Sequence, residues 1–259
     1  SPLGKAMTPL TEGVTPDGQA LNVSTVTATV DQYGGWIQLP DMLLLTAIDN
    51  NLVQATKLLG NQAGATLDAI TREVLSGGTN VQYAEGQVTE RNQLAYTDKD
   101  NNHNLTVGAV KKAVRFLESQ DAPKINGNYI GIIHPYCKYD LMNDPEWKNP
   151  HEYVNTENIY NGEIGELYGV RFVQSNRAKK FEGAGAAGVD VFSTLILGDD
   201  AYGITEITGG GLEHIVKQHG SAGTADPLNQ RATCGWKATK TAELLVPQYI
   251  VRIETTATP

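Results

Sequence analysis

The chain has 259 residues, of which 40 % are apolar, and its 20 basic and 29 acidic side chains give a formal net charge of −9. This length supports one large domain or two modest ones. The acidic balance argues against a nucleic-acid reader or a binder of anionic membranes, because neutralising phosphates requires a basic surface. The densest apolar run, residues 42–48, is far shorter than the ~20 residues that a membrane span needs.

The N-terminal region is predicted to lack a core of its own. Prolines and glycines are spread through residues 1–19, a composition that cannot sustain a helix. Residues 21–30 (LNVSTVTATV) alternate with a period of two and predict a β-strand. A single strand leaves its backbone unpaired, so its partner is expected upstream of Ser1 or in another chain. We interpret this region as half of a projecting hairpin, with a frayed terminus as the alternative.

A long helix is predicted over residues 51–76. Its apolar positions follow a 4-3-4-4-3-4 spacing that forms one stripe: Leu52, Thr56, Leu59, Ala63, Leu67, Ile70 and Val74. Asp49 or Asn50 is expected to cap its start, and Gly77 and Gly78 to end it in a left-handed conformation. At 1.5 Å per residue the helix would be about 39 Å long, so we interpret it as a structural strut. Small residues are expected to admit a closely packed neighbour: Gly60, Gly64, Ala65 and Ala69.

The remainder of the chain is predicted to mix helices and strands. An amphipathic helix is predicted from residue 107, capped by Thr106 and ending before Pro123. A second helix is predicted to open at His134 and to run through Leu141. Because helices and strands do not alternate strictly, the predicted class is α+β. The predicted strands are residues 129–133, 168–174, 191–197, 212–216, 233–245 and 248–254.

A glycine motif of the form G-x-G-x-x-G occurs at Gly183, Gly185 and Gly188. A dinucleotide fingerprint needs a strand before this motif and a helix after it. Here charged residues precede the glycines and a predicted strand follows them, so we interpret the motif as a flexible loop. The Gly-Gly-Thr run at residues 77–79 lacks the lysine of a phosphate-binding loop and is explained by the helix end.

Residues 98–104 (DKDNNHN) resemble the opening of a calcium-binding loop. However, His103 stands where such a loop requires glycine, and Ala109 stands where it requires a bidentate glutamate. A solvated loop is therefore favoured, and a weak cation site is the alternative.

The two cysteines, Cys137 and Cys234, are too few for a disulfide scaffold and suit a reducing compartment. His134 and Cys137 are close enough in sequence to suggest a nucleophile and its base, or half of a metal site. His214 and His219 lie in a predicted strand region without cysteine neighbours. We predict that His134 is a helix cap and Cys137 a small buried hydrophobe. The sequence thus predicts no catalytic, cofactor-binding or metal-binding residues, and a protein that is not an enzyme.

Several segments resemble the major capsid proteins of N-four-like tailed phages. The similarity covers nearly the whole chain, and it is most specific over residues 10–84. It departs in two places, because the chain begins inside the family's extended hairpin and residues 98–104 match nothing in the pattern. The similar segments are PLTEGVTP, TVTATVDQYGGWIQLPDMLLLTAID, LVQATKLLGNQAGATLDAITREVLSGGTNVQYA, IIHPYCKYDLMND, GELYGVRFVQSNRAKKF, LILGDDAYGITEI and WKATKTAELLVPQYIVRIE.

The resemblance implies the Johnson-type phage capsid fold, an α+β architecture with an extended loop, a peripheral domain built on a long spine helix, and an axial domain. Residues 1–35 would form the second half of the extended loop, and residues 36–105 the peripheral domain with its spine helix. Residues 106–210 would form the axial domain, and residues 211–259 the return strands of the peripheral domain.

The implied function is that of a major capsid protein in the virion. Copies of the chain would assemble, in the cytoplasm of the bacterial host, into hexamers and pentamers of an icosahedral head around double-stranded DNA. Expected partners are other copies of the chain and DNA bound without sequence specificity, with no membrane. Decoration, scaffolding and portal proteins are further candidates.

Two other functions remain open, together with a covalent variant of the first. The chain could be another virion component, such as a tail-tube or minor shell protein, or a small cysteine hydrolase that uses His134 and Cys137. One branch of the capsid fold cross-links a lysine of the extended loop to a neighbouring asparagine, and Lys5 lies in the matching region. No apolar cluster near Lys5 would lower its pKa from about 10.4, so a non-covalent arm is predicted.

Overall fold

The computed structural model describes residues 6–15, 18, 20, 25–42, 51–84, 88–97, 102–147, 165–205, 209–221 and 223–259. The α-helices with both ends in the described residues are α1 (Asn51–Ser76), α2 (Val107–Ser119) and α3 (Pro135–Asn143). The strands are β1 (Asp31–Pro40), β2 (Val81–Tyr83), β3 (Tyr129–Ile133), β4 (Glu166–Leu167), β5 (Val170–Gln174), β6 (Lys180–Phe181), β7 (Val191–Leu197), β8 (Tyr202–Ile204), β9 (Glu213–Lys217), β10 (Arg231–Lys240), β11 (Ala242–Leu244) and β12 (Ile250–Thr255). The predicted α+β class is confirmed.

A seven-stranded mixed sheet holds the largest core. Its strands follow the order β2-β12-β7-β3-β5-β4, with β6 also paired to β7. All seven residues of β7 are buried, as expected for a central strand. Helices α2 and α3 cover one face, where Val110 and Leu117 of α2 pack in a cluster with Ile133, Ile196 and Ile253.

The helix that covers this face starts where the sequence predicts. Thr106 has an extended backbone, and its side chain accepts a hydrogen bond from Ala109 N at 3.2 Å. One of the free N–H groups at the start of α2 is thereby satisfied, because an N-cap oxygen accepts from the second or third helical residue. Strands β3 and β7 also have the predicted bounds.

A second, three-stranded antiparallel sheet has the order β1-β10-β9. β1 and β10 pair over ten residues, from Asp31 opposite Lys240 to Pro40 opposite Arg231. Helix α1 packs on one face of this sheet, where Leu59 is 3 % exposed and lies in a cluster with Trp236. The helix then reaches the second face of the seven-stranded sheet, where Leu75 packs with Leu195, Leu197, Ala201 and Ile250.

The strand predicted over residues 21–30 is not formed where the structure describes it. Residues 25–30 have no regular secondary structure, and β1 begins at Asp31. The physical reason is pairing: β10 provides a partner for residues 31–40, and no strand in the described parts of the chain pairs with residues 25–30. Residues 21–24 lie outside the described residues.

Other strand boundaries differ because turns interrupt them. The predicted strand 168–174 begins at Val170, since Tyr168 and Gly169 have φ of 49° and 73° and form the two-residue turn between β4 and β5. The predicted strand 233–245 divides at Thr241 into β10 and β11, which pair with different strands. The predicted strand 248–254 begins at Ile250, after a 3₁₀ turn.

Helix α1 has the predicted bounds, but the backbone conformation that ends it differs from the predicted one. Neither Gly77 nor Gly78 has a positive φ, so the left-handed stop is wrong. Gly77 N donates to Val74 O at 3.0 Å, and a Cβ on Gly78 would contact the side chains of Leu244 and Ile250 at 3.6 and 3.8 Å. The helix therefore ends in a hydrogen-bonded turn at Gly77, and Gly78 lies in ordinary van der Waals range of these strands. The predicted caps Asp49 and Asn50 lie outside the described residues.

The predicted stripe of α1 is buried only at its centre. Leu59 and Ala63 are buried, Leu67 and Ile70 are half-buried, and Leu75 is buried one position beyond the predicted Val74. The small residues predicted to receive a neighbour do not all do so: Gly60 and Gly64 are exposed, and a Cβ on either would meet nothing within 4 Å.

Candidate assembly surfaces

The predicted nucleophile and base do not form a catalytic pair. His134 Nδ1 accepts a hydrogen bond from Tyr136 N at 3.3 Å, which makes His134 the N-cap of α3 as predicted. Cys137 is fully buried, and its Sγ lies 3.7 Å from Thr255 Oγ1. Burial raises the pKa of the Cys137 thiol to about 12, so the thiolate that a nucleophile requires is disfavoured. Cys137 is thus the buried hydrophobe that the sequence predicts.

His214 has no cysteine near it in sequence, and the structure brings Cys234 beside it. Cys234 lies opposite Val216 in the β9–β10 pairing, and His214, two residues away, has its side chain on the same face. His214 Nε2 lies 3.0 Å from Cys234 Sγ. Cys234 is fully buried beneath α1, with Thr56 Oγ1 at 3.6 Å. A thiol enclosed in this way stabilises the contact between helix and sheet and is inaccessible to a substrate.

The glycine motif forms the connection between β6 and β7. Ala186 N donates to Leu94 O at 2.8 Å, and Gly185 N donates to Val189 O at 2.8 Å. A Cβ on Gly185 would lie 2.6 Å from Leu94 O, so the backbone requires glycine there. The motif forms a hydrogen-bonded turn, and the predicted strand, here β7, follows it in place of the helix that a dinucleotide-binding motif requires.

The structure describes only residues 102–104 of the predicted cation loop, residues 98–104. Residues 98–101 lie outside the described residues, as does Lys5. His103 Nδ1 accepts from Ala95 N at 2.8 Å, and Asn104 donates to Thr258 Oγ1 at 2.9 Å, so both side chains have structural partners. Within the described ranges, no three His, Cys, Asp or Glu residues come together as a metal site, and no helix is long and apolar enough to cross a membrane.

The N-terminal arm exposes apolar side chains. Met7, Leu10 and Val14 are 82 %, 79 % and 64 % exposed. The backbone bond described within this stretch is local, from Val14 N to Thr11 O at 3.2 Å. Apolar side chains spaced along an extended arm are typical of a segment that is buried on a partner.

A second exposed apolar surface lies on the three-stranded sheet, on the face opposite α1. Trp36 is 67 % exposed there, and the pairing places it opposite Gly235, which in turn lies opposite Ile215. Sequence reasoning missed this surface because the residues come from strands about 200 positions apart. The alternation of β1, in which Leu39 is buried and Trp36 is not, is the signal that could have indicated it.

Comparison with known proteins also points to a protein that assembles with other chains. Residues 23–237 match the protein family described as phage capsid protein. Curated protein sequences give no match. The solved capsid of cyanophage Pam1 has 12 % identity and a TM-score of 0.68, and the alignment covers 95 % of this chain and 82 % of that one.

Two further capsids are similar at comparable distance. The capsid of Ralstonia phage GP4 has 14 % identity and a TM-score of 0.66, over 89 % of this chain and 74 % of that one. The mature capsid of bacteriophage PhiM1 has 18 % identity and a TM-score of 0.57, over 97 % and 80 %. These likenesses show the Johnson-type fold, and since the family match spans most of the sequence, the chain belongs to the phage capsid protein family and has a structural role in the capsid.

Proposed function

We propose that this chain is the major capsid protein of an N-four-like tailed phage, and that its copies form hexamers and pentamers of an icosahedral head around double-stranded DNA. The observation that carries the proposal is the apolar surface that one copy leaves open: Met7, Leu10, Val14 and Trp36 are each more than 60 % exposed. Additional copies of the same chain can cover this surface, and shells require each copy to contact several others. The resemblance over residues 10–84 supports the N-four-like group.

The domain assignment forms part of the proposal. We assign residues 1–35 to the extended loop, 36–105 and 211–259 to the peripheral domain, and 106–210 to the axial domain. The pairing of β1 with β10 and the packing of α1 on both support joining the two peripheral segments. β12 pairs with β7 and so connects the return segment to the axial sheet.

The arm is proposed to act by non-covalent strand addition. Residues 25–30 lead directly into β1, whose outer edge pairs with no strand among the residues that the structure describes. An extended segment of this kind gains backbone hydrogen bonds when it adds to a sheet edge of a neighbouring copy. We propose that the chain has no enzymatic activity, cofactor or metal. We further propose that assembly takes place in the host cytoplasm, and that scaffolding, decoration and portal proteins are the other partners.

Electron microscopy of the purified protein tests this function. Closed icosahedral particles with fivefold and sixfold capsomers are expected. Rings or tubes alone would identify a tail or minor shell component, and a stable monomer with thiol-dependent hydrolysis would identify the hydrolase. Deletion of residues 1–19 is expected to abolish particles and leave a folded, soluble subunit, because the described arm residues contribute nothing to the buried core.

Denaturing gels of intact particles test the covalent variant. A single band at the monomer mass is expected. A ladder of multimers that disappears in Lys5→Ala would instead show that the arm is cross-linked.

A further inference from the structure

The exposed indole of Trp36 stands on a bare part of its sheet. Its side chain is 67 % exposed, and Gly235 opposite it has no side chain. A Cβ on Gly235 would lie 3.0 Å from the Trp36 Cβ, so any other residue would crowd the base of the indole. Trp36 therefore projects as a knob from a backbone floor, and tryptophan is one of the residues enriched among the energetically important positions at the centres of protein interfaces.

The rim around this knob is basic, although the chain as a whole is acidic. Strand alternation places Lys217, Lys237, Arg231 and Glu213 on the same face as Trp36. Lys237 pairs with Glu213 at 2.9 Å, and Arg231 Nε lies 3.8 Å from Asp226 Oδ1, so both of these positive charges have an acidic partner. Lys217 is exposed and has no ion-pair partner among the residues that the structure describes. On a chain with a net charge of −9, a knob with a basic rim is complementary to the acidic surface of another copy.

A groove of about 500 Å³ lies on the seven-stranded sheet, on the face that α1 covers only in part. Ile130, Ile132 and Leu197 line its floor, and Ile204, which is 51 % exposed, lies at its edge. A cavity of roughly 150 Å³ accepts benzene, so this groove has ample room for an indole.

The mouth of the groove is acidic. Asp199 and Asp200 follow β7, are exposed and line the groove. Across the described ranges, neither carboxylate has an ion-pair partner; Asp199 Oδ1 accepts a hydrogen bond from Asp200 N at 3.0 Å. An apolar floor with an acidic rim complements an apolar knob with a basic rim.

We propose that Trp36 of one copy inserts into this groove of a second copy, with Lys217 facing Asp199 and Asp200. The proposal rests on the self-assembly proposed above and names the surfaces that make the contact. The knob and the groove are different patches of one chain, so a copy whose knob is bound still has its groove open for a further copy, and the contact can repeat head to tail. Such a contact closes into a ring when the rotation per copy divides a full turn, which is the geometry of pentamers and hexamers.

Tryptophan fluorescence tests the contact directly. The chain has three tryptophans, and Trp147 and Trp236 are only 3 % and 6 % exposed, so Trp36 dominates quenching by acrylamide in the free subunit. Assembly is expected to reduce the quenchable fraction and to shift the emission to shorter wavelength. The Trp36→Phe variant, in which only the buried tryptophans remain, is expected to show little change on assembly.

Substitutions on both surfaces test the pairing. Trp36→Ala and Ile204→Asp are each expected to raise the protein concentration needed for assembly roughly tenfold or more, with the thermal midpoint of the free subunit unchanged. Leu228→Ala is the matched control, because Leu228 is 73 % exposed and belongs to neither surface. Lys217→Glu and Asp200→Lys are each expected to weaken assembly, and the double variant to recover it.

The outcomes separate this inference from the proposed function. A wild-type chain that never assembles would contradict the function itself. Wild-type shells in which Trp36 remains quenchable, or normal assembly of Trp36→Ala, would overturn only this inference. Normal assembly of Ile204→Asp, or a double charge variant no better than the single ones, would show that Trp36 docks elsewhere.

Discussion

Replacing Leu59 by alanine tests how α1 is held on the three-stranded sheet. Leu59 is 3 % exposed and packs in one cluster with Ala63, Cys234 and Trp236. Leu-to-Ala substitutions in cores cost about 2–5 kcal/mol, the larger values applying where the surroundings cannot collapse into the cavity. The Trp236 indole is held by a hydrogen bond to Gln62 Oε1 at 3.1 Å, which limits its movement into the space. We therefore expect a loss of about 3 kcal/mol in the free energy of unfolding, or roughly 6–12 °C in the melting temperature.

Leu58 is the matched control because it is the adjacent residue of the same type and is 62 % exposed. Leu58→Ala is expected to change the free energy of unfolding by no more than about 0.5 kcal/mol. Urea titration and thermal melting of dissociated subunits measure both variants without a contribution from the shell. Equal effects at the two positions, or a loss below about 1 kcal/mol for Leu59→Ala, would refute the assignment of the buried stripe.

Three further predictions concern buried and titrating groups. Glu254 is fully buried and accepts two hydrogen bonds of 2.7 Å from the Arg91 guanidinium. Glu254→Gln is therefore expected to lower the free energy of unfolding, measured by urea titration, by about 3–5 kcal/mol, and a loss under about 1 kcal/mol would contradict this. Burial and the charge of Lys180 lower the pKa of His134, so the unfolded chain takes up this proton more readily than the folded chain. The free energy of unfolding should therefore fall as pH drops below about 6.5. This pH dependence should weaken in His134→Asn, because asparagine caps a helix without titrating. Both cysteines are fully buried, so a thiol reagent should label the native subunit only after denaturation, and rapid labelling of Cys137 would disprove its burial.

Local chemistry accounts for the elements that the sequence predicts well. α2 begins at Val107 because Thr106 caps it and a clear apolar period follows, and both signals lie within a few residues. β3 and β7 are predicted with correct bounds because each is a short apolar run; β7 is buried along its whole length and β3 at alternate residues. The roles of His134 and Cys137 are predicted from similarly local signals, because the start of α3 determines which residue caps the helix and which is buried.

Pairing between distant strands accounts for the elements that the sequence misplaces. Residues 25–30 and 31–40 both alternate, and in the described part of the chain only the second segment meets a partner strand, β10, about 200 residues later. The same β1–β10 pairing brings Trp36 to Gly235, and the pairing of β9 with β10 brings His214 to Cys234. Period-two patterns show that a segment can be a strand, and register decides which side chains meet.

The buried core of this chain stabilises the single copy, whereas its exposed apolar surfaces do not. Where the chain must fold alone, its local and tertiary features agree: β7 is fully buried, and Glu254 is paired with Arg91. Where a single copy leaves apolar groups in water, as at Met7 and Trp36, the chain departs from what its own stability would favour. These departures lie on the arm and on the outer face of the three-stranded sheet, away from the main core. A subunit organised in this way can fold before it assembles, and the free energy of covering those surfaces is then available to hold copies together in a shell.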